Sequence, residues 1–323
     1  MGEMVLMLRN VLVFIALALP GFILVKTKLL KAKQSDSLAT LLIYVGLPML
    51  IFYFVVERLT IDSSSLKLVA FVAAIGLVYQ VVTFFATNPL TIFEKNAKTR
   101  GMMRFSAAFN NNGFFGIPLA IAVFGGSSPV LTVLIVMNIM TNILLYTLGI
   151  YLVSGDKSMM SWKKALLNPV LIAFILGVIV NLLNLKESVP EILTFSGHFY
   201  NIVAPISMTV LGMKMGEIKF SALFKSWKLY YVSALKLILF PVVIVAILIG
   251  VKAITNFDLI TDYVVWGAFI AFAVPTAGLA STFADHFDGD TENSVVFTLG
   301  TTILSIVSIP LLYWLISLVL GVL

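Results

Sequence analysis

The chain has 323 residues, 60% of them apolar and only 11% charged, with a mean hydropathy of +1.08. Soluble domains average about 45–50% apolar and about 25% charged residues, so this composition excludes a soluble enzyme, a disordered chain and a disulfide scaffold, and points to lipid as the solvent. There is no cysteine and there are only two histidines, His198 and His286, so no metal site is expected, and the formal charge of +6 is weighed by where it falls rather than as a sign of nucleic acid.

In chain order, ten apolar stretches are each near the ~20 residues that cross a bilayer core: 4–25, 36–56, 66–88, 101–124, 129–153, 164–185, 192–213, 228–251, 262–284 and 293–321. The first lacks a positive n-region, because Glu3 precedes Arg9, and its apolar run exceeds that of a signal peptide. The expectation is therefore an all-α membrane protein of ten transmembrane helices. The loops after helices 1, 3, 5 and 7 carry fifteen Lys and Arg, including Lys214 and Lys219, against four on the other side (Arg58, Lys67, Lys186 and Lys252). By the positive-inside rule, both termini are expected outside the cytoplasm, in a cell (inner or plasma) membrane. The loop between helices 9 and 10 is acidic, with Asp285, Asp288, Asp290 and Glu292, which weighs little on orientation.

Shifted by 157 residues, the halves partly match: Pro48 falls on Pro205, Pro118 on Pro275, Phe115 on Phe272 and Ala120 on Ala277. Proline is only 11 of the residues, so its coincidences weigh more than apolar ones. The expected organisation is a first five-helix repeat, 1–157, and a second, 158–323. Five spans is an odd number, so the second repeat is inverted, the arrangement common among secondary transporters.

The fourth stretch contains Asn110-Asn111-Asn112-Gly113-Phe114-Phe115-Gly116-Ile117-Pro118. Three Asn, two Gly and a Pro at mid-membrane predict a broken helix, tolerated only where it lines a cavity or is buried in protein. The ninth is expected to break at Val274-Pro275-Thr276, at equivalent depth. If helices 4 and 9 cross at these breaks, half-helix N-termini converge near the midplane, each Pro suiting a first helical position. Free N–H groups and positive dipole ends there favour an anion, above all a carboxylate. Asn138 and Asn142, four apart on one helix face, either contact substrate or join helices 4 and 5. Lys236, inside the eighth stretch, is a counter-charge or coupling residue, or it snorkels to the interface. His198 and Asn201 lie near Pro205. The hydroxyls of Thr298, Thr301, Thr302 and Ser305 are expected to bond to their own helix. The acidic run from Asp285 to Glu292 fails the calcium-loop pattern, having Phe287 and Gly289 at ligand positions.

The stretch from Asn112 to Leu119, and the run from Thr301 through Ser305 to Ile309-Pro310-Leu311, resemble the auxin efflux carrier family, which includes plant exporters and bacterial malonate and malate permeases. That resemblance covers nearly the whole chain. It implies crossing helices 4 and 9, an elevator-type motion of one domain against another, organic anion substrates and a homodimer. The connection between helices 5 and 6 is only about ten residues, which resembles a short, prokaryote-like permease. The expectation is a secondary transporter, with no enzymatic activity and no cofactor, whose partners are a small organic anion and the lipid bilayer. The alternatives are a sodium-coupled symporter of bile-acid-carrier type and a substrate sensor on the same scaffold.

Overall fold

The structure is a computed structural model that describes residues 2–59, 61–217, 223, 225–255 and 257–321. The loop lysine Lys219 lies outside the described residues. Those residues are almost entirely helical, and their only β pairing is one isolated bridge.

Seven helical stretches are long and apolar enough to cross a membrane: Leu8–Lys26, Ala32–Arg58, Ser63–Leu90, Pro129–Ser154, Lys157–Leu182, Trp227–Thr255 and Thr291–Leu320. They fall on the first, second, third, fifth, sixth, eighth and tenth expected spans. The seventh expected span is the 27-residue helix Glu191–Glu217, which is long enough but more polar. The fourth and ninth are interrupted, leaving the shorter apolar helices Asn112–Phe124 and Asp262–Ala273.

The helices are α1 (Gly2–Ala16), α2 (Leu19–Lys26), α3 (Ser35–Leu41), α4 (Leu47–Arg58), α5 (Ser63–Leu90), α6 (Ala97–Ala108), α7 (Ile117–Phe124), α8 (Pro129–Leu144), α9 (Ile150–Ser154), α10 (Trp162–Leu166), α11 (Pro169–Leu182), α12 (Leu185–Ser188), α13 (Glu191–Glu217), α14 (Trp227–Ala234), α15 (Phe240–Thr255), α16 (Asp262–Ala273), α17 (Ala280–His286) and α18 (Thr291–Leu320). One break is new relative to the sequence reading: the first span divides at Leu17-Ala18, just before Pro20. Proline has no N–H to continue the ladder and its ring crowds the preceding turn.

Three further prolines are absorbed without breaking the chain. Pro48, Pro118 and Pro241 each follow a π-helical turn (Leu42–Gly46, Asn112–Gly116 and Leu235–Leu239) by one residue. In each turn the next N–H reaches back five residues: Leu47 to Leu42, Ile117 to Asn112, Phe240 to Leu235. The wider turn relieves the clash that a proline imposes on a regular helix.

Two sets of helices pack most extensively among themselves. One comprises α2, α4, α11 and α13; the other comprises α5, α6, α8, α9 and α14 to α18. In the second set α16 is apolar all round and buried from Val264 to Ala273 apart from Trp266, as a central helix must be. Outer helices show Phe85, Ile172 and Ile254 to the surroundings, as suits a lipid-facing surface. At the basic-loop end Lys228 pairs with Glu94 at 2.5 Å, and this ammonium holds the Glu94 carboxyl below the usual carboxylate range.

Within each set the closest approaches are made at glycine. A Cβ on Gly21 would run into the Thr209 carbonyl of α13, and one on Gly212 into the Ala18 carbonyl. In the second set, Gly267 abuts Val133 and Gly300 abuts Leu229 in the same way. Small residues let helix backbones come close enough for extensive van der Waals contact, the main source of association in lipid. We therefore expect Gly212→Leu to lower the detergent-solubilised melting temperature by the equivalent of about 1–3 kcal/mol of overpacking. Gly250→Ala, at a position with open space around it, is expected to leave the melting temperature unchanged within error.

Candidate functional site

The two interruptions meet. Helix α6 stops at Ala108, and Phe109 takes extended angles (φ −97°, ψ 134°). Helix α16 stops at Ala273, and Val274 is likewise extended (φ −71°, ψ 159°), as expected of a residue before proline. The extended pieces pair antiparallel through Asn110 and Thr276. Asn111 donates its N–H to the Pro275 carbonyl at 2.9 Å, and Ala277 donates to the Phe109 carbonyl at 3.0 Å. Exchanging Asn110 with Thr276 maps one bond onto the other, so the crossing has a local two-fold symmetry between residues 166 apart. The 157-residue register of the sequence match is a different correspondence, nine positions from this pairing. Pro118 and Pro275, which that register superimposes, have different roles. Pro118 sits in the first turn of α7, while Pro275 lies in unwound chain, five residues before α17 begins.

A third element holds the crossing. Thr301 of α18 donates its hydroxyl to the Phe297 carbonyl at 2.7 Å and accepts the Thr276 N–H at 3.1 Å. The Thr276 hydroxyl donates to the Ser106 carbonyl at 2.9 Å, tying the two breaks together again. Thr298, Thr302 and Ser305 bond to carbonyls of their own helix, as expected, and Thr301 does more.

Asn110, Asn111, Gly113, Phe114, Asn138 and Asn142 line one small cavity, about 50 Å³, beside the crossing. Asn112 lies behind it, donating to the Thr141 hydroxyl at 3.4 Å, and Asn142 donates to the Asn138 side chain at 3.0 Å. Asn110, Asn112 and Asn138 are all buried. Yet both polar atoms of Asn110, Oδ1 of Asn112 and Nδ2 of Asn138 have no hydrogen-bond partner among the described residues. Buried polar atoms are normally satisfied by protein or water; three of these four belong to residues that line the cavity, and the fourth, on Asn112, belongs to a residue behind it. Its walls carry no Asp, Glu, Lys, Arg or His. Val274, Pro275, Thr276 and Pro118 line neither this cavity nor its neighbour; they are buried in the frame around it.

A second cavity, about 340 Å³, continues from the first. Ile43, Asn111, Phe114, Gly278 and Leu279 belong to both walls. Its far end is lined by Asp36, Lys214, Asp285 and His286, which lie at the span ends next to the basic loops. A Cβ on Gly278 would come within 3.2 Å of the Phe114 ring, which would have to give by a few tenths of an ångström.

The model of the membrane transport protein family matches residues 6–313. The chain belongs to that family. This is the auxin efflux carrier resemblance carried by Asn112–Leu119, now extended over nearly the whole sequence. An uncharacterized transporter of Methanothermobacter thermautotrophicus is 28% identical over 309 residues, covering 94% of this chain and 96% of its own.

In this membrane transporter Lys236 lies apart from both cavities. It is fully enclosed within the π-turn before Pro241, and its Nζ has no hydrogen-bond partner among the described residues. Enclosure takes the place of the interfacial snorkelling that its sequence position allowed. His198 and Asn201 line neither cavity. Sequence reasoning missed Thr141, Tyr146, Asn168 and Gly278 as walls, and it missed Thr301 as the clamp on the ninth-span break. Thr301→Val is expected to strand the buried Thr276 N–H and cost about 1–3 kcal/mol. Thr302→Val, which removes only a bond within its own helix, is expected to cost clearly less, as read from melting temperatures in detergent.

Proposed function

We propose that this transporter carries small organic anions such as malonate, malate or auxin-like carboxylates by secondary, alternating-access transport, with the acid group held beside the crossing of helices 4 and 9. The observation that carries this reading is the set of unpartnered amide atoms on Asn110, Asn112 and Asn138 around a cavity without ionised walls. Amide N–H groups, together with the start of the helical segment Asn112–Phe124, suit an anion without the desolvation cost of a standing buried charge. The smaller cavity is on the scale of one or two waters. It has room for an acid group, and the body of the substrate would occupy the larger cavity next to it.

In this reading the ten spans form two inverted five-helix repeats, 1–157 and 158–323, in a cell membrane with both termini non-cytoplasmic and the larger cavity facing the cytoplasm. The elevator motion slides the set containing α6, α16 and α17 along the set containing α2, α4 and α13. Glycine-tight contacts inside each set support two bodies that move as units. The seam between them carries pliable side chains such as Ile43, Leu47, Phe114 and Leu279. A homodimer of such units agrees with the family resemblance.

A sodium-coupled symporter is the second reading, favoured by the free amide oxygens of Asn110 and Asn112, which suit a hard cation. Sodium dependence of uptake separates the two. In proteoliposomes, Asn111→Ala, Asn112→Ala and Pro275→Ala are each expected to abolish organic-anion transport while the protein stays monodisperse and folded. Wild-type transport in all three would overturn the crossing as the substrate site.

A further inference from the structure

Lys214 stands in the last turn of α13, where a cation is favourable beside the helix C-terminus. That position explains why a lysine is tolerated there, but it does not explain the direction of the side chain. The side chain turns into the larger cavity and crosses towards α17, where its Nζ donates to the Ser281 hydroxyl at 3.5 Å. Lys214 is therefore largely withdrawn from solvent. Among the described residues it makes no ion pair within 4.0 Å. The other titratable groups on this cavity are Asp36 of α3 and Asp285 and His286 of α17. Asp36 and Asp285 act on Lys214 electrostatically, from beyond ion-pair distance.

An ammonium group that faces a cavity with one long hydrogen bond and no carboxylate in contact is a ready partner for an anion. Among the described residues it is also the only Lys or Arg on the walls of either cavity. We propose that Lys214, with the Ser281 hydroxyl, forms an anion subsite at the cytoplasmic mouth that takes a substrate carboxylate on its way to or from the crossing. This rests on the organic-anion reading above. Lys214 belongs to the helix set of α2 and α13, and Ser281 to the set of α16 and α17. The subsite is complete only while α17 lies opposite α13, so it serves one side of the membrane. A lysine suits such a transient site, because its flexible stem and compact charge let it receive and release an acid group without a fixed bidentate geometry.

The test uses the full chain in oriented inside-out and right-side-out membrane vesicles, with radiolabelled malonate and acetate as probes. Lys214→Gln is expected to raise the half-saturating concentration from the cytoplasmic face about tenfold, the loss of one charge-assisted contact, and to leave the opposite face unchanged. Lys214→Arg, which keeps the charge, is expected to recover most of the loss. An equal effect on both faces, no effect on either, or no rescue by Arg overturns the subsite. Absence of saturable uptake of both probes by the unmodified protein overturns it as well. Asn112→Ala serves as the separate control on the crossing: its loss is expected from both faces. If Asn112→Ala is normal while Lys214→Gln shows the one-sided loss, the crossing reading fails and the Lys214 subsite stands.

Discussion

Everything at the centre of this protein depends on one requirement: backbone N–H and C=O groups freed at membrane depth must find partners inside the protein. The interruptions of the fourth and ninth spans meet it by serving each other. Asn111 bonds to Pro275, and Ala277 bonds to Phe109. Neither helix can open alone without stranding polar groups in a place where water does not reach, so the two breaks are mutually conditional. The N–H of Thr276, at the bridge itself, is closed by Thr301 from a third helix. Once the backbone is satisfied in this way, the asparagine side chains are released from capping work and can face a cavity.

The same economy appears in how the helices are held. In lipid, apolar side chains gain little from leaving the acyl chains for one another, so tight association needs shape. Gly21, Gly212, Gly267 and Gly300 supply it within each helix set, where an added methyl group would meet a neighbour's backbone or side chain. The wall shared by the two cavities carries Ile43, Phe114 and Leu279 beside Asn111 and Gly278. The π-turns before Pro48, Pro118 and Pro241 let these prolines sit in otherwise continuous spans.

Much of this was legible in the sequence, and the parts that were not have a common cause. The breaks were visible because Asn, Gly and Pro are poor helix formers wherever they stand, and the apolar run lengths picked out the seven stretches that are long and apolar enough to cross a membrane among the described residues. The precise limits were not visible, because Pro118 looks like a helix breaker until the π-turn that absorbs it is seen. The proline coincidence offered a register of 157 residues, and the pairing of Asn110 with Thr276 at the crossing left no mark in it. Lys214 counted in the sequence only as one more basic loop residue. Its turn into a cavity, like the clamp made by Thr301, is set by a neighbouring helix and leaves no mark in local spacing.

The two breaks are alike in backbone and unlike in side chain. At the crossing Asn110 faces Thr276, and counting outward Asn111 corresponds to Ala277, Asn112 to Gly278 and Gly113 to Leu279. One arm therefore brings amides. The other brings small groups and a threonine whose hydroxyl is already committed to Ser106. A strictly symmetric crossing would place amides on both arms and crowd the space that Gly278 leaves open beside Phe114. The two-fold arrangement of hydrogen bonds builds the frame, and the departure from symmetry in the side chains leaves a cavity against it. Asn110 and Asn111 bring polarity to the cavity from one arm, beside Asn138 and Asn142 of α8, while Gly278 on the other arm leaves space. A change on the ninth-span arm is thus expected to act through space and backbone, and one on the fourth-span arm through lost polar contacts.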